Sequence, residues 1–127
     1  MNRLNPATVM APTGGYSQGI QVGDLIFVAG QVGVDAHGKP TGDGGMAAQT
    51  RQTLANVAAV LAEAGASLAD VVSATVYVKD FSEYKIFDQV WQECFGTHRP
   101  DLVENLDRKS TRLNSSHLKL SRMPSSA

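Results

Sequence analysis

The residues best placed for chemistry in this 127-residue chain fall in two short stretches. The first is Ala11-Pro12-Thr13-Gly14-Gly15-Tyr16-Ser17-Gln18, where a glycine pair permits a tight loop that presents one phenolic hydroxyl, Tyr16. The second is Asp24 to Gln31, an apolar run over Leu25 to Ala29 that stops at Gly30. Turn formers bound the run, so it reads as a strand buried on both faces. Gly30 has no Cβ, so a backbone or a ligand can approach closely there. A buried strand ending in glycine beside a presented tyrosine defines a candidate cleft.

Other reactive residue types have plainer readings. Arg99, just before Pro100 at the end of a helical pattern, can approach an anionic ligand or simply complement the helix dipole. Asp88 lies within the same pattern and reads as a surface or capping carboxylate. His37 and His98 share no metal-like spacing with other ligand types, so neither a zinc site nor another metal site is expected. Cys94 falls on an apolar helical stripe and is expected to be a buried, inert thiol. Gly14-Gly15 is not a phosphate loop, because no Gly-Lys-Ser/Thr follows.

The elements that must position these residues follow from periodicity. A short strand is allowed near Thr8 to Met10, and Gln21 to Val34 reads as extended structure bent at Gly30 and Gly33. Asp35 to Pro40 is a turn cluster, and Asp43 is placed to cap the helix that follows. Met46, Leu54, Val57, Val60, Leu61 and Ala64 recur at helical spacing, with Gln49, Gln52, Asn56 and Glu63 between them and Gly65 as the C-terminal cap. Asp70 to Lys79 alternates with period two, setting Val72, Ala74, Val76 and Val78 against Ser73, Thr75, Tyr77 and Lys79. A second helix is predicted from a Ser82 cap to about Phe95, with Phe81 and Ile86 as a hydrophobic staple and Phe87, Val90, Trp91, Cys94 and Phe95 as its buried stripe. The expected architecture is α+β, a mixed β-sheet with two helices packed on one face and its closing strand missing.

Length allows one domain, and a composition 43% hydrophobic and 18% charged places the chain among ordinary globular proteins. No apolar run reaches membrane-spanning length and the start lacks a signal-peptide core, so a cytoplasmic protein with no membrane partner is expected. A single cysteine excludes an internal disulfide framework. The net charge of −1 conceals a break. Residues 1–106 carry six Lys/Arg against eleven Asp/Glu, a balance of −5, whereas residues 107–127 carry five against one, a balance of +4. The second segment is serine-rich, with no persistent helical or strand period. Asp107 to His117 resembles the translation of a common sequencing adapter, and Ser121 to Ala127 resembles its far end. The expectation is a domain over 1–106, truncated at its C-terminus, followed by a non-native or disordered tail. The Asn114-Ser115-Ser116 sequon then carries no meaning.

With the elements in order, residues 11 to about 100 resemble the Rid/YjgF family of imine/enamine deaminases. The resemblance rests on Ala11-Pro12 through Gly15-Tyr16-Ser17-Gln18, Val22-Gly23-Asp24 through Ala29-Gly30-Gln31, and Gln49-Thr50-Arg51-Gln52 through Leu54-Ala55-Asn56. It continues through Glu63-Ala64-Gly65, Val76-Tyr77-Val78-Lys79-Asp80 and Phe95-Gly96-Thr97-His98-Arg99-Pro100. It implies a chorismate-mutase-like fold, a homotrimer with ligand clefts between subunits, and hydrolysis of 2-imino acids and their enamine tautomers to 2-keto acids and ammonia without metal or organic cofactor. It also makes Tyr16 the catalytic candidate, and Ala29, Gly30, Gln31, Asp88 and Arg99 candidates for substrate binding. Gly15 replaces the usual proline, Ala29 stands where many members have serine, and Asp88 where many have asparagine. The family's substrate-binding arginine falls at Leu102, and the glutamate of its last strand has no counterpart.

These departures leave open a deaminase impaired in this chain, or a non-catalytic ligand-binding or regulatory trimer. A role on RNA, ascribed to some relatives, is disfavoured by the −5 balance of residues 1–106, since nucleic-acid affinity rests largely on neutralising phosphates.

Overall fold

The fold was determined as a computed structural model that describes residues 1–78, 80–106 and 117–122, with backbone alone at 103–106 and 117–122. Lys79, the Asn114-Ser115-Ser116 sequon and the remainder of the serine-rich tail lie outside the described residues.

Among the described residues, six strands and two α-helices follow one another as β1 (Asn2–Leu4), β2 (Gly19–Val22), β3 (Leu25–Gln31), α1 (Met46–Ala62), β4 (Val71–Val78), α2 (Tyr84–Phe95), β5 (Asp101–Leu106) and β6 (His117–Arg122). They form one mixed sheet in the order β1-β2-β3-β6-β4-β5, antiparallel throughout except for the parallel pair β4–β5. The expected α+β layout of two helices and a mixed sheet is present.

The missing closing strand is corrected. Two strands follow α2: β5 pairs with β4 from Ser73↔Asp101 to Val78↔Leu106, and β6 lies between β3 and β4. Asp101, Glu104 and Asn105 hid the first, because they are poor strand formers that an edge strand nonetheless tolerates. The second escaped because only Leu118 and Leu120, alternating with Lys119 and Ser121, carry a strand period there.

The core forms where the helices meet one face of the sheet. Ile26 and Val28 from β3 and Ala74, Val76 and Val78 from β4 are buried with Leu54, Val57, Val60 and Leu61 of α1 and Phe87 and Trp91 of α2. On α2 an i, i+4 aromatic row runs Phe87–Trp91–Phe95, with ring centroids 5.5 and 4.4 Å apart. Helix α1 ends in a left-handed turn at Gly65 (φ +73°), where Gly65 N–H donates to Ala62 O and Ala66 N–H to Leu61 O. That paired arrangement satisfies the last carbonyls as the glycine predicted.

Several local expectations fail for identifiable reasons. Strand β3 is not buried on both faces: Ile26 and Val28 point into the core, but Leu25 and Phe27 are exposed, as one face of an antiparallel sheet permits. The N-terminal strand is Asn2–Leu4, and Val9 is buried in a loop instead. A register irregularity between Val71 and Ser73 buries Val71 and turns Val72 outward, so the alternation holds only from Ala74 onward. Asp43 does not cap α1; Gly45 does, and Asp43 Oδ1 accepts from Gly45 N–H at 2.8 Å. The turn leading into α2 is capped by Asp80, which accepts from Ser82 N–H at 2.9 Å, rather than by Ser82. Phe81 and Ile86 are both exposed. Cys94 is exposed on the flank of α2, its thiol pushed up by partial desolvation and by the Glu93 carboxylate, which keeps it protonated and unreactive near neutrality.

Candidate functional site

The loop carrying Tyr16 folds back over the end of β3 and is tied there by a chain of amide hydrogen bonds. Gln18 N–H donates to Asn5 Oδ1 at 2.8 Å, and Gln18 Nε2 donates to Met10 O at 2.7 Å. Gln31 Nε2 donates to Gln18 Oε1 at 2.7 Å and to Ala29 O at 3.1 Å, while Ala29 N–H donates to Gln18 O at 2.9 Å. Gln18 and Gln31 are both buried, and the bond between their side chains is made away from water, where an unpaired amide would be costly. From the helix side, the buried Asn56 donates from Nδ2 to Val32 O at 3.1 Å and Val34 O at 3.0 Å, and accepts from Gln52 Nε2 at 2.8 Å. These bonds tie the segment after β3 to α1, adding a side-chain donor to the Val32 carbonyl, which also accepts from Val34 N–H at 2.9 Å.

Between loop and strand lies a small cavity of about 190 Å³, lined by Tyr16, Gln18, Gly30, Gln31, Thr13 and Asn56 among others. Tyr16 is about half exposed at its edge. Next to it, and sharing Met10, Val32 and Val34 as walls, is a larger groove of about 760 Å³ under the 35–45 loops. Asp35 shapes those loops by accepting from the backbone N–H groups of His37 and Lys39 at 2.8 and 3.0 Å, which holds its carboxyl below its ordinary value. Among the described residues no lysine, arginine or histidine lines either space, so both are neutral apart from Asp43.

The structure therefore brings Tyr16, Gly30 and Gln31 to one cavity. Ala29 stands behind it, its carbonyl and N–H engaged by Gln31 and Gln18. Asp88 is elsewhere, on the outer side of α2, where it accepts from Gln92 Nε2 at 2.7 Å. Arg99 folds onto the end of α2, donating from Nη1 to the carbonyls of Gly96 and His98 (3.1 Å for the latter), the dipole-complementing arrangement. Leu102 lies on β5 and packs partly buried against the core. Gln18 and Asn56 were not singled out as site residues from the sequence; the spacing of Gln49 and Asn56, seven apart on one helical face, was the available signal that polar groups sit on the buried side of α1. Among the described residues no cluster of His, Cys, Asp or Glu could hold a metal, and no helix is long and apolar enough to cross a membrane.

A mixed sheet with two helices on one face and a tyrosine loop folded over β3 is the chorismate-mutase-like α+β architecture. Residues 7–105 match the family described as Endoribonuclease L-PSP, and the chain belongs to this YjgF/Rid family. It is 45% identical over 92 residues to a RutC family protein of Pyrococcus abyssi, a match covering 72% of each chain. It is 37% identical over 95 residues to the 2-iminobutanoate/2-iminopropanoate deaminase of Escherichia coli, covering 72% of this chain and 73% of that one. The solved structure of the Escherichia coli YjgF gene product superposes with a TM-score of 0.89 at 26% identity, covering 98% of this chain and all of the other.

Proposed function

We propose that this protein hydrolyses 2-imino acids and their enamine tautomers to 2-oxo acids and ammonia, acting as a homotrimer. The observation that carries this reading is the small neutral cavity in which Tyr16 faces the Gly30–Gln31 end of β3. The deaminase relatives support the reaction class. Imine hydrolysis needs a proton at nitrogen and a water added to the adjacent carbon; the C–N bond then breaks and ammonia leaves. The Tyr16 phenol is suited to deliver or relay the proton, and the buried amide chain holds its loop in place.

The departures from the family pattern set the expected rate. Leu102 lies on β5, separated from β3 by β4 and β6, so an arginine there would serve the Tyr16 cavity of a neighbouring copy. Asp88 and Arg99 likewise stand outside the cavity of their own subunit, and a part in substrate binding for either requires the same neighbour. With leucine at 102 the substrate carboxylate loses a bidentate partner, and turnover is slow. This same feature favours the second reading, a trimer that binds the small acid without converting it. The −5 balance of residues 1–106 gives no support to RNA cleavage.

The test generates 2-iminopropanoate in place with an amino-acid oxidase and follows loss of the imine above its spontaneous hydrolysis. The expected result is measurable acceleration by the chain, reduced about 10²-fold in Tyr16→Phe. Binding of pyruvate with no acceleration would replace the first reading with the second.

A further inference from the structure

We propose that the groove under the 35–45 loops receives the side chain of the imino acid, and that the preferred substrates carry long, uncharged apolar side chains. This rests on the deaminase reading and assigns its substrate class. The two spaces adjoin, with Met10, Val32 and Val34 as their shared walls. The smaller, about 190 Å³, has room for the reacting head beside Tyr16, and the larger, about 760 Å³, exceeds anything a methyl side chain needs. Met10 stands at the junction with its carbonyl held by Gln18 and a flexible thioether that adapts to what lies against it.

The lining is largely apolar and disfavours an anionic side chain. Its apolar lining side chains are Met10, Val32, Val34 and Pro40. Of its two polar groups, Gln49 donates from Nε2 to Gly44 O at 2.5 Å, and Asp43 Oδ1 accepts from Gly45 N–H at 2.8 Å. An acidic side chain would meet the Asp43 carboxylate in a groove that no described lysine, arginine or histidine lines, and would give up its hydration. An apolar one exchanges water for the Met, Val and Pro walls.

Full-length protein is assayed on imines produced by an amino-acid oxidase from alanine, leucine, glutamate and arginine. The expected kcat/KM for the leucine-derived imine is at least about tenfold above that for the alanine-derived one, the range that a few methylenes in an apolar pocket give. Pro40→Trp, which fills the groove from its exposed rim, lowers that ratio at least about fivefold. Turnover in which the alanine-derived imine equals or exceeds the leucine-derived one, or in which Pro40→Trp leaves the ratio unchanged, overturns the inference while the deaminase reading stands. Preference for the arginine- or glutamate-derived imine overturns it as well. If no imine is turned over, the deaminase reading fails and calorimetry with 2-oxo acids decides. Tighter binding of 4-methyl-2-oxopentanoate than of pyruvate, weakened by Pro40→Trp, supports the groove as the side-chain site; equal or absent binding overturns it.

Discussion

At the scale of single residues, position 102 tests the proposed deaminase reading most directly, because the family resemblance would place a substrate-binding arginine there. Leu102 packs against the core from a sheet edge, so its replacement has two separable consequences. Leu102→Arg should raise kcat/KM on 2-imino acids at least about tenfold, because a charged bidentate contact to a carboxylate contributes about 1.5–3 kcal/mol. It should also lower stability by about 1 kcal/mol, since apolar contact is lost at a half-buried site. Imine-loss kinetics beside a urea titration separate the two, and unchanged kinetics would show that position 102 does not reach a bound carboxylate. Cys94 and Arg99 teach a different lesson. Both were legible as reactive types, but an exposed thiol raised by its surroundings and a guanidinium spent on helix-end carbonyls have other work.

At the scale of elements, the segment after β3 depends on one close approach. A Cβ at Gly33 would lie 2.6 Å from Gln49 Cα and 2.8 Å from Gln49 O, backbone atoms that cannot swing away. Gly33→Ala should therefore destabilise by about 1–3 kcal/mol, read as a lower urea midpoint with unchanged slope. The turn into α2 supplies a pH test. Asp80 accepts from the Ser82 N–H and, more weakly, the Ser82 hydroxyl, which holds its carboxyl below the ordinary 3.8. The stabilisation is fully present above that ordinary value and is lost as pH falls through the lower folded one. Asp80→Ala should lower the Tm at neutral pH, and the gap from the natural chain should close below about pH 3.8. The same elements show what the sequence made legible. Helix α1, its Gly65 stop and the pattern from Ala74 to Val78 were readable because local periodicity and local backbone needs determine them. The caps were misread because Asp43 and Ser82 were judged by their place in the chain, when the turn decides which side chain meets which N–H: Asp43 accepts from Gly45 N–H, and Asp80 rather than Ser82 caps the turn into α2. The amide bonds of Gln18, Gln31 and Asn56 were unreadable because these residues come from a loop, a strand and a helix and find their partners only in the fold.

At the scale of the whole molecule, the open sheet face is the dominant feature. Val22 lies opposite Leu25 and Ile20 opposite Phe27 across β2 and β3, and Val22, Leu25 and Phe27 are all exposed. Such a contiguous apolar face marks an interaction surface, and YjgF/Rid proteins are typically trimeric. Phe27→Asp should convert the trimer expected in solution to a monomer, seen by light scattering, with secondary structure kept and imine turnover lost. A monodisperse trimer from that variant would place the interface elsewhere. The sheet also has a seam. Strands β3 and β4 are separated by β6, which comes from residues 117–122 and pairs with both. During synthesis, then, β1–β3 and β4–β5 emerge as two half-sheets whose facing edges stay unpaired until residues 117–122 follow. Until those residues arrive, each half-sheet presents a row of unpaired N–H and C=O groups, the kind of edge on which a second copy of the chain can template a wrong pairing.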